Sequence, residues 1–272
     1  MTNTIQQLSQ RVCPATVPFA ILTMWATLGA HGALAQSSGQ PAFPSATEAA
    51  QTLFQAVQSN NMDAIVKILA GPTELASCGD DAQDKIEREM FAQKYQEMHR
   101  LGREVDKSVT LYIGAENWPF PIPLVENNGS WRFDPDAGRK EVLFRRIGDN
   151  ELTAIEICHE LVAAGKQLRT NSSTTDQGED PLAAVVSKAA GDSARVLIHG
   201  YYFRPLEAPA KGTAAAPAFI AYPAEYRSSG VMTFIVTAND VVYEKDLGAD
   251  TSAAATAMTS FHKDSTWYVA SN

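Results

Sequence analysis

The stretch from Leu197 to Leu247 constrains the fold of this chain most strongly, because it holds the densest run of β-branched and aromatic residues. Within it, the segment from Val231 to Thr237 carries apolar side chains that alternate between two faces, namely Val231 with Ile235, and Met232 with Phe234 and Val236. A strand with two apolar faces is typical of a central position in a sheet that is covered on both sides. The sequence therefore predicts a buried central strand here.

The same stretch supplies the neighbours of that strand. Turn-forming residues at Ala238-Asn239-Asp240 connect it to a strand at Val241 to Glu244, and two further apolar runs lie at Gly200 to Pro205 and Phe219 to Pro223. Upstream, a long helix is predicted from Glu151 to Leu168, with an inner face formed by Leu152, Ile155, Cys158 and Val162. A long helix followed by a four-stranded antiparallel sheet resembles the globular part of type IV pilins and pseudopilins.

The first half of the chain begins with helices. Ser45-Ala46-Thr47-Glu48 is a capping box that starts the first helix, and a second is predicted from Met62 to Ala70. A third helix is predicted from Asp80 or Asp81 to about Arg100. Its inner stripe would be Ile86, Met90, Tyr95 and Met98, and its outer face would carry the pair Asp84 and Arg88.

Antiparallel strands follow these helices. They are predicted at Ser108 to Gly114, Phe120 to Glu126 and Ser130 to Asp134, with a hairpin turn at Asn127-Asn128-Gly129. Helices followed by such strands resemble the cone-like fold of the nuclear transport factor 2-like superfamily. The concave face of such a cone would form a pocket lined by Tyr112, Trp118, Phe120 and Trp131. The alternative is that these four side chains are simply core, because apolar residues on strands are usually buried.

The fold class predicted from this order is α+β with two domains. A helix is predicted from Pro135 to Ile147, and Gly148 separates it from the long helix that follows. The domain boundaries are therefore residues 45–148 and residues 149–272, each with its own helices and strands. Residues 36–44 are predicted to be flexible, and residues 170–179 form a polar loop within the second domain.

The N-terminus has the pattern of a signal peptide. Arg11 is followed by an apolar run from Val17 to Leu28, and Ala33-Leu34-Ala35 matches the site of signal peptidase. We therefore expect residues 1–35 to be removed after Ala35, which gives a periplasmic or secreted protein without a transmembrane segment. The alternative is a short membrane anchor, although the apolar run is shorter than a typical membrane-spanning helix.

Charge and cysteine content limit the possible partners and the state of the cysteines. The net charge of −9 disfavours nucleic acid and anionic membrane surfaces as partners, because phosphate groups would be repelled. After cleavage the cysteines are Cys78 and Cys158, and an oxidising compartment would permit a disulfide between them. Cys158 lies on the apolar face of a predicted helix and Cys78 in a polar turn, so we expect a buried thiol and an accessible thiol instead.

Catalytic and metal-binding patterns are weak. The chain has no G-x-S-x-G, H-E-x-x-H or P-loop motif. Ser228 or Ser229 with His199 and Glu225 would make a nucleophilic triad, but the same residues suit a polar turn that enters the central strand. Asp134 and Asp136 suit a calcium ion or a helix cap, and the cap is favoured. We therefore predict no catalytic residue, no metal and no cofactor.

A binding surface is the remaining candidate in the second domain. Its residues would be Tyr201, Tyr202, Arg204, Tyr226 and Arg227. Because side chains alternate faces along a strand, at least one of the aromatic residues from Tyr201 to Phe203 must instead face the core.

Three segments carry a resemblance to a known family. They are WPFPIPLVENNGSWRFDPDAGRKEVLFRRIGDNELTAIEICHELV, HGYYFRPLE and AYPAEYRSSGVMTFIVTANDVVYEKDLGADT. In these segments the chain resembles a bacterial exported family catalogued as domain of unknown function 2950. The resemblance implies an exported envelope or extracellular protein and implies no reaction. We therefore expect a non-catalytic binding or structural module that recognises an unknown envelope protein or surface component. The alternative is a small-molecule-binding protein or hydrolase that uses the pocket of the first domain.

Overall fold

The structure is a computed structural model that describes residues 39–71, 81–170, 195–206 and 218–271. These residues form helices and antiparallel sheets, so the predicted α+β class is confirmed. The chain divides into two compact units between Leu143 and Phe144, whereas the sequence predicted a boundary at Gly148. The predicted signal peptide, Cys78 and residues 171–179 of the predicted polar loop lie outside the described residues.

The described residues of the first unit begin with the helices α1 (Ala46–Gln58), α2 (Met62–Leu69) and α3 (Asp81–Glu97). The N-cap bond of the predicted capping box is present, since Ser45 Oγ accepts a hydrogen bond of 3.1 Å from the N–H of Glu48. Asn61 Oδ1 caps α2 in the same way, through the N–H of Ala64 at 3.1 Å. These caps place two short amphipathic helices in sequence, each with its apolar stripe toward the sheet.

The first sheet contains β1 (His99–Arg103), β2 (Val109–Ile113), β3 (Trp118–Pro119), β4 (Leu124–Asn127) and β5 (Ser130–Phe133). Its order is β1-β2-β4-β5, and β3 also pairs with β2. Asn128 and Gly129 form the predicted hairpin turn with φ values of 51° and 75°. The single strand predicted at Phe120 to Glu126 is wrong, because prolines that lack an N–H interrupt the ladder between β3 and β4.

The core of the first unit lies between the helices and one face of this sheet. Its fully buried members include Leu53, Leu124 and Phe133. Part of the segment predicted to be flexible is anchored here. Phe43 exchanges backbone hydrogen bonds of 2.8 and 2.7 Å with Trp131, and the Gln40 side chain donates to the carbonyls of Ile68 and Phe133.

Helix α4 (Pro135–Thr170) is continuous through Gly148. The predicted helix break at Gly148 is therefore wrong. A glycine inside a helix costs about 1 kcal/mol relative to alanine, which the neighbouring helical residues offset. No helix among the described residues has the length and apolar character needed to span a membrane.

The second sheet contains β6 (Val196–Ile198), β7 (Tyr201–Pro205), β8 (Phe219–Pro223), β9 (Met232–Val236), β10 (Val242–Asp246) and β11 (Tyr268–Val269), in the order β11-β10-β9-β8-β7-β6. The four predicted strands are present, and the short edge strands β6 and β11 extend the sheet.

The central strand is confirmed as β9. Phe234 and Val236 pack in the cluster with α4, while Ile235 packs with Trp267 and with Ala255 of helix α5 (Thr251–Ala257).

The inner face of α4 differs from the prediction at its first position. Leu152 is 50% exposed, and the neighbouring Glu151 contacts the sheet instead. The Glu151 carboxylate accepts hydrogen bonds from the N–H groups of Val231 at 2.8 Å and Met232 at 3.0 Å. Further along, the face is apolar as predicted, and Cys158 is a fully buried free thiol whose pKa is raised by burial.

Candidate functional site

The first unit contains a cavity of about 180 Å³ that is partly open to solvent. Its walls come from all three helices and from the strand β2 and the segment around β3. The residues that line it are Leu53, Val57, Ile65, Leu69, Asp84, Glu87, Arg88, Phe91, Ile113, Trp118, Phe120 and Pro121. Nine of these twelve side chains are apolar and three are charged, which is the composition of a ligand pocket.

Helical spacing explains the aliphatic wall. Leu53 and Val57 lie one turn apart on α1, and Ile65 and Leu69 lie one turn apart on α2, so each pair shares a face. All four are buried, with 1% to 9% of their surface exposed. Ile113 closes this wall from the end of β2 and is 1% exposed. The wall is therefore formed by core residues with fixed positions.

One face of α3 supplies the charged wall. Asp84, Glu87, Arg88 and Phe91 follow the i, i+3, i+4, i+7 spacing of a single helix face, and all four line the cavity. Asp84 is only 5% exposed. Arg88 Nε donates a hydrogen bond of 2.7 Å to Asn60 Oδ1. Among the described residues, this wall therefore carries two carboxylates and one guanidinium.

The orientation of α3 contradicts the sequence prediction. Asp84 and Arg88 were predicted to lie on the outer face, and Ile86 on the inner one. Instead Asp84 is buried and Ile86 is 50% exposed. The prediction failed because it assigned polar side chains to solvent, whereas this face of α3 lines a cavity that accommodates charged groups. No sequence signal distinguishes these charges from those of a solvated helix surface.

Tyr95 holds α3 against its neighbours. Its ring stacks on Phe54 with centroids 4.4 Å apart and on His99 at 3.9 Å. Burial raises the pKa of Tyr95, because the phenolate would lose its hydration. The stacked rings fix the C-terminal half of the helix that carries the charged wall.

The aromatic wall contains two of the four predicted pocket residues. Trp118 and Phe120 line the cavity, and Phe120 packs edge-on against Phe91 with centroids 5.5 Å apart. Tyr112 does not line it, since its side chain alternates to the other face of β2 from the buried Leu111 and Ile113.

The two remaining predicted pocket residues have other contacts. The Arg100 guanidinium lies 4.0 Å from the Tyr112 ring, and the Tyr112 hydroxyl donates a 3.0 Å hydrogen bond to Glu104. Trp131 is bonded through its backbone to Phe43, outside the lining of the cavity. The prediction of a pocket formed by all four aromatic residues is therefore wrong for Tyr112 and Trp131.

The predicted binding surface of the second unit fails at Tyr201. This side chain has no exposed surface, and its hydroxyl donates a 3.0 Å hydrogen bond to the carbonyl of Met232. Burial raises the pKa of Tyr201, and the nearby Glu151 carboxylate raises it further. Tyr201 is a core residue, because strand alternation turns it toward α4.

Arg204, also predicted to belong to the binding surface, binds the end of helix α5. Its guanidinium donates to the carbonyls of Ala255, Thr256 and Met258 at the end of α5, with distances of 3.3 Å to Thr256 and 2.5 Å to Met258. The last carbonyls of a helix lack the N–H partners of the following turn, so the arginine caps the C-terminus of α5. Burial lowers the pKa of Arg204.

The other three residues of that predicted surface differ in exposure. Tyr202 is half-buried and lies beneath the Arg195 guanidinium, 4.1 Å from the ring centroid. The Tyr226 hydroxyl donates to Asp246 Oδ2 at 3.1 Å. Arg227 is exposed and has a positive φ of 61°. Of the five residues, only Arg227 is exposed.

The remaining candidate groups serve local structure. Ser229 Oγ accepts a hydrogen bond from the N–H of Glu225 at 3.0 Å and donates to the Glu225 carbonyl at 3.2 Å, which closes a turn. Asp134 Oδ1 caps α4 by accepting from the N–H groups of Asp136 at 3.0 Å and Ala137 at 3.1 Å. Within the described ranges, no three His, Cys, Asp or Glu side chains are grouped as metal ligands.

Comparison with known proteins gives a family and no activity. No curated protein and no solved structure matches the chain. A family described as "Protein of unknown function (DUF2950)" matches residues 40–179 and 169–270. Because these matches cover far more than half of the sequence, the chain belongs to the DUF2950 family.

Proposed function

We propose that this protein is an exported, non-catalytic binding protein that holds a small ligand in the cavity of its first unit. The observation that carries the proposal is the cavity of about 180 Å³ between α1, α2, α3 and the first sheet. A mainly apolar pocket with a few polar groups on one side is the usual architecture of a small-molecule site.

The size of the cavity limits the ligand. A dry apolar cavity of about 150 Å³ in a protein core is large enough to bind benzene. The cavity described here therefore suits one aromatic or branched aliphatic group with a short polar substituent. Among the described residues, its lining offers apolar surface, two carboxylates and a guanidinium. This set of side chains suits the holding of a ligand.

Export is proposed from the sequence. Arg11, the apolar run from Val17 to Leu28 and the Ala33-Leu34-Ala35 site support cleavage after Ala35. Mass spectrometry of the protein recovered from its own host is expected to give Gln36 as the first residue. A membrane-embedded form that still begins with Met1 would contradict export.

We also propose that the first unit is a cone-like fold of the nuclear transport factor 2-like type and that the second is pilin-like. Three helices that precede a sheet and enclose a cavity with it support the first assignment. A long helix packed on an antiparallel sheet supports the second. An experimental structure whose topology superposes on neither fold would contradict both assignments.

Ligand binding is tested with benzyl alcohol, a neutral ring with one short polar substituent. Isothermal titration of the mature protein is expected to show saturable binding. Val57→Phe, which places a ring in the cavity, is expected to abolish this binding, whereas Val125→Phe, outside the cavity lining, leaves it intact. Unfolding curves establish that both variants fold. Binding that survives Val57→Phe, or no binding of any probe to the wild type, would overturn the proposed function.

A further inference from the structure

Aromatic side chains form part of the cavity wall. Phe91 belongs to α3, Trp118 belongs to β3, and Phe120 lies directly after β3; all three line the cavity. The Phe120 ring packs edge-on against Phe91, with centroids 5.5 Å apart and planes inclined by 65°. It packs in the same way against the fully buried Phe133, at 6.0 Å and 75°. The orientation of the Phe120 ring is therefore fixed by two neighbouring rings.

These rings belong to a larger aromatic cluster. Phe91 also contacts Tyr95, with ring centroids 6.1 Å apart, and Tyr95 stacks on Phe54 at 4.4 Å. Tyr95 is only 6% exposed, so this end of the cluster is anchored in the core. A ligand that enters the cavity therefore meets rings that are already in position. Little conformational freedom has to be lost in ordering them, which favours binding.

An aromatic wall distinguishes an aromatic ligand from a saturated one of similar size. The faces of an aromatic ring carry negative potential and its edge positive potential, so edge-to-face and offset ring pairs are more stable than their buried area alone predicts. A saturated ring has no such charge distribution. It has at least as much apolar surface, so the hydrophobic effect alone does not favour the aromatic ring. A preference for the aromatic ligand would therefore report contacts with the aromatic wall.

We infer that the cavity selects an aromatic ring over a saturated ring or a branched aliphatic group of the same size. This inference rests on the proposed function, because it names the ligand class of the same cavity. The ligand ring lies in edge-to-face or offset contact with the rings of Phe91, Trp118 and Phe120, and it also packs against the aliphatic side chains of α1 and α2. Recognition of the ring requires no hydrogen bond to the charged side chains of α3.

Two neutral probes test the inference. Benzyl alcohol and cyclohexylmethanol have the same carbon skeleton and the same hydroxyl group, and each is titrated calorimetrically into the mature protein at neutral pH. Benzyl alcohol is expected to bind about threefold to tenfold more tightly, because of the additional stability of aromatic pairs. Equal binding, or tighter binding of cyclohexylmethanol, would overturn the inference while the proposed function stands. Failure of both probes to bind would overturn the inference and the proposed function together.

Removal of a ring locates the selectivity. Phe120→Leu keeps an apolar side chain, and it is expected to lower the ratio of the two affinities at least about twofold. Phe91→Leu is expected to act in the same way, and it serves alone if urea denaturation shows that Phe120→Leu does not fold. The control is Phe144→Leu on α4, a position that is 66% exposed and outside the cavity lining. A wild-type ratio in the folded cavity variants, or an equal decrease in Phe144→Leu, would overturn the inference.

Discussion

Arg88 Nε donates a 2.7 Å hydrogen bond to Oδ1 of Asn60, which ties the charged wall of the cavity to the turn between α1 and α2. Asn60 holds a left-handed backbone conformation with a φ of 52°, which asparagine tolerates better than most residues. The bond joins two residues 28 positions apart in the chain. The guanidinium of Arg88 is therefore held in place by its bond to the turn between α1 and α2.

Local patterns in the sequence predicted the frame of both units. The two apolar faces of Val231 to Thr237 identified the central strand, since such a pattern fits only a strand covered on both sides. The cap at Ser45 and the turn at Asn128-Gly129 follow from side-chain and backbone chemistry within four residues. Each of these features is decided locally, so the sequence was enough to place it.

The charged wall of the cavity was missed by the sequence analysis for a physical reason. Amphipathic analysis places charged residues toward water, and that rule fails where a charged side chain lines a cavity or accepts buried hydrogen bonds. Asp84 and Arg88 are the first case, and Glu151, which takes the inward place in front of Leu152, is the second. The burial of Tyr201 required the position of the sheet relative to α4, which depends on contacts between distant residues.

Gly148 offers a test of the continuous helix. A Cβ atom added there meets no atom within 4 Å, and the residue lies inside α4. Gly148→Ala is therefore expected to raise the free energy of unfolding by about 1 kcal/mol, measured by urea denaturation. Gly230→Ala is the contrast, because the added Cβ would overlap the Tyr201 hydroxyl, and it is expected to destabilise the protein. A destabilised Gly148→Ala variant would indicate that the helix is interrupted at this residue.

Glu244 is expected to make the stability of the second unit depend on pH. Burial raises the pKa of this carboxyl, and the negative charge of Glu151 raises it further. The folded state therefore holds the proton more tightly than the unfolded chain, and stability declines as the pH rises from the ordinary value of 4.5 through the folded pKa.

Glu244→Gln removes this dependence. Its free energy of unfolding relative to the wild type is expected to increase between about pH 4 and about pH 7, as measured by urea denaturation. Glu89→Gln, an exposed carboxylate, is expected to show no such trend. A difference between Glu244→Gln and wild type that is constant with pH would contradict the raised pKa.

Arg204 is expected to stabilise the second unit through its bonds to the end of α5. Arg204→Met keeps much of the aliphatic stem and removes the charge-assisted hydrogen bonds to the helix carbonyls. A loss of about 2 kcal/mol in the free energy of unfolding is expected from the strength of hydrogen bonds made by charged groups. Arg227→Met, at an exposed position, is expected to change stability by less than about 0.5 kcal/mol. Similar values for the two variants would contradict the capping role.

The crystal structure of the mature protein with bound benzyl alcohol is the most direct test of the ligand site. The ring is expected inside the cavity, against Val57 and Leu69. Electron density for the ligand at this place would support the proposed pocket. A ligand that lies elsewhere on the protein would contradict it.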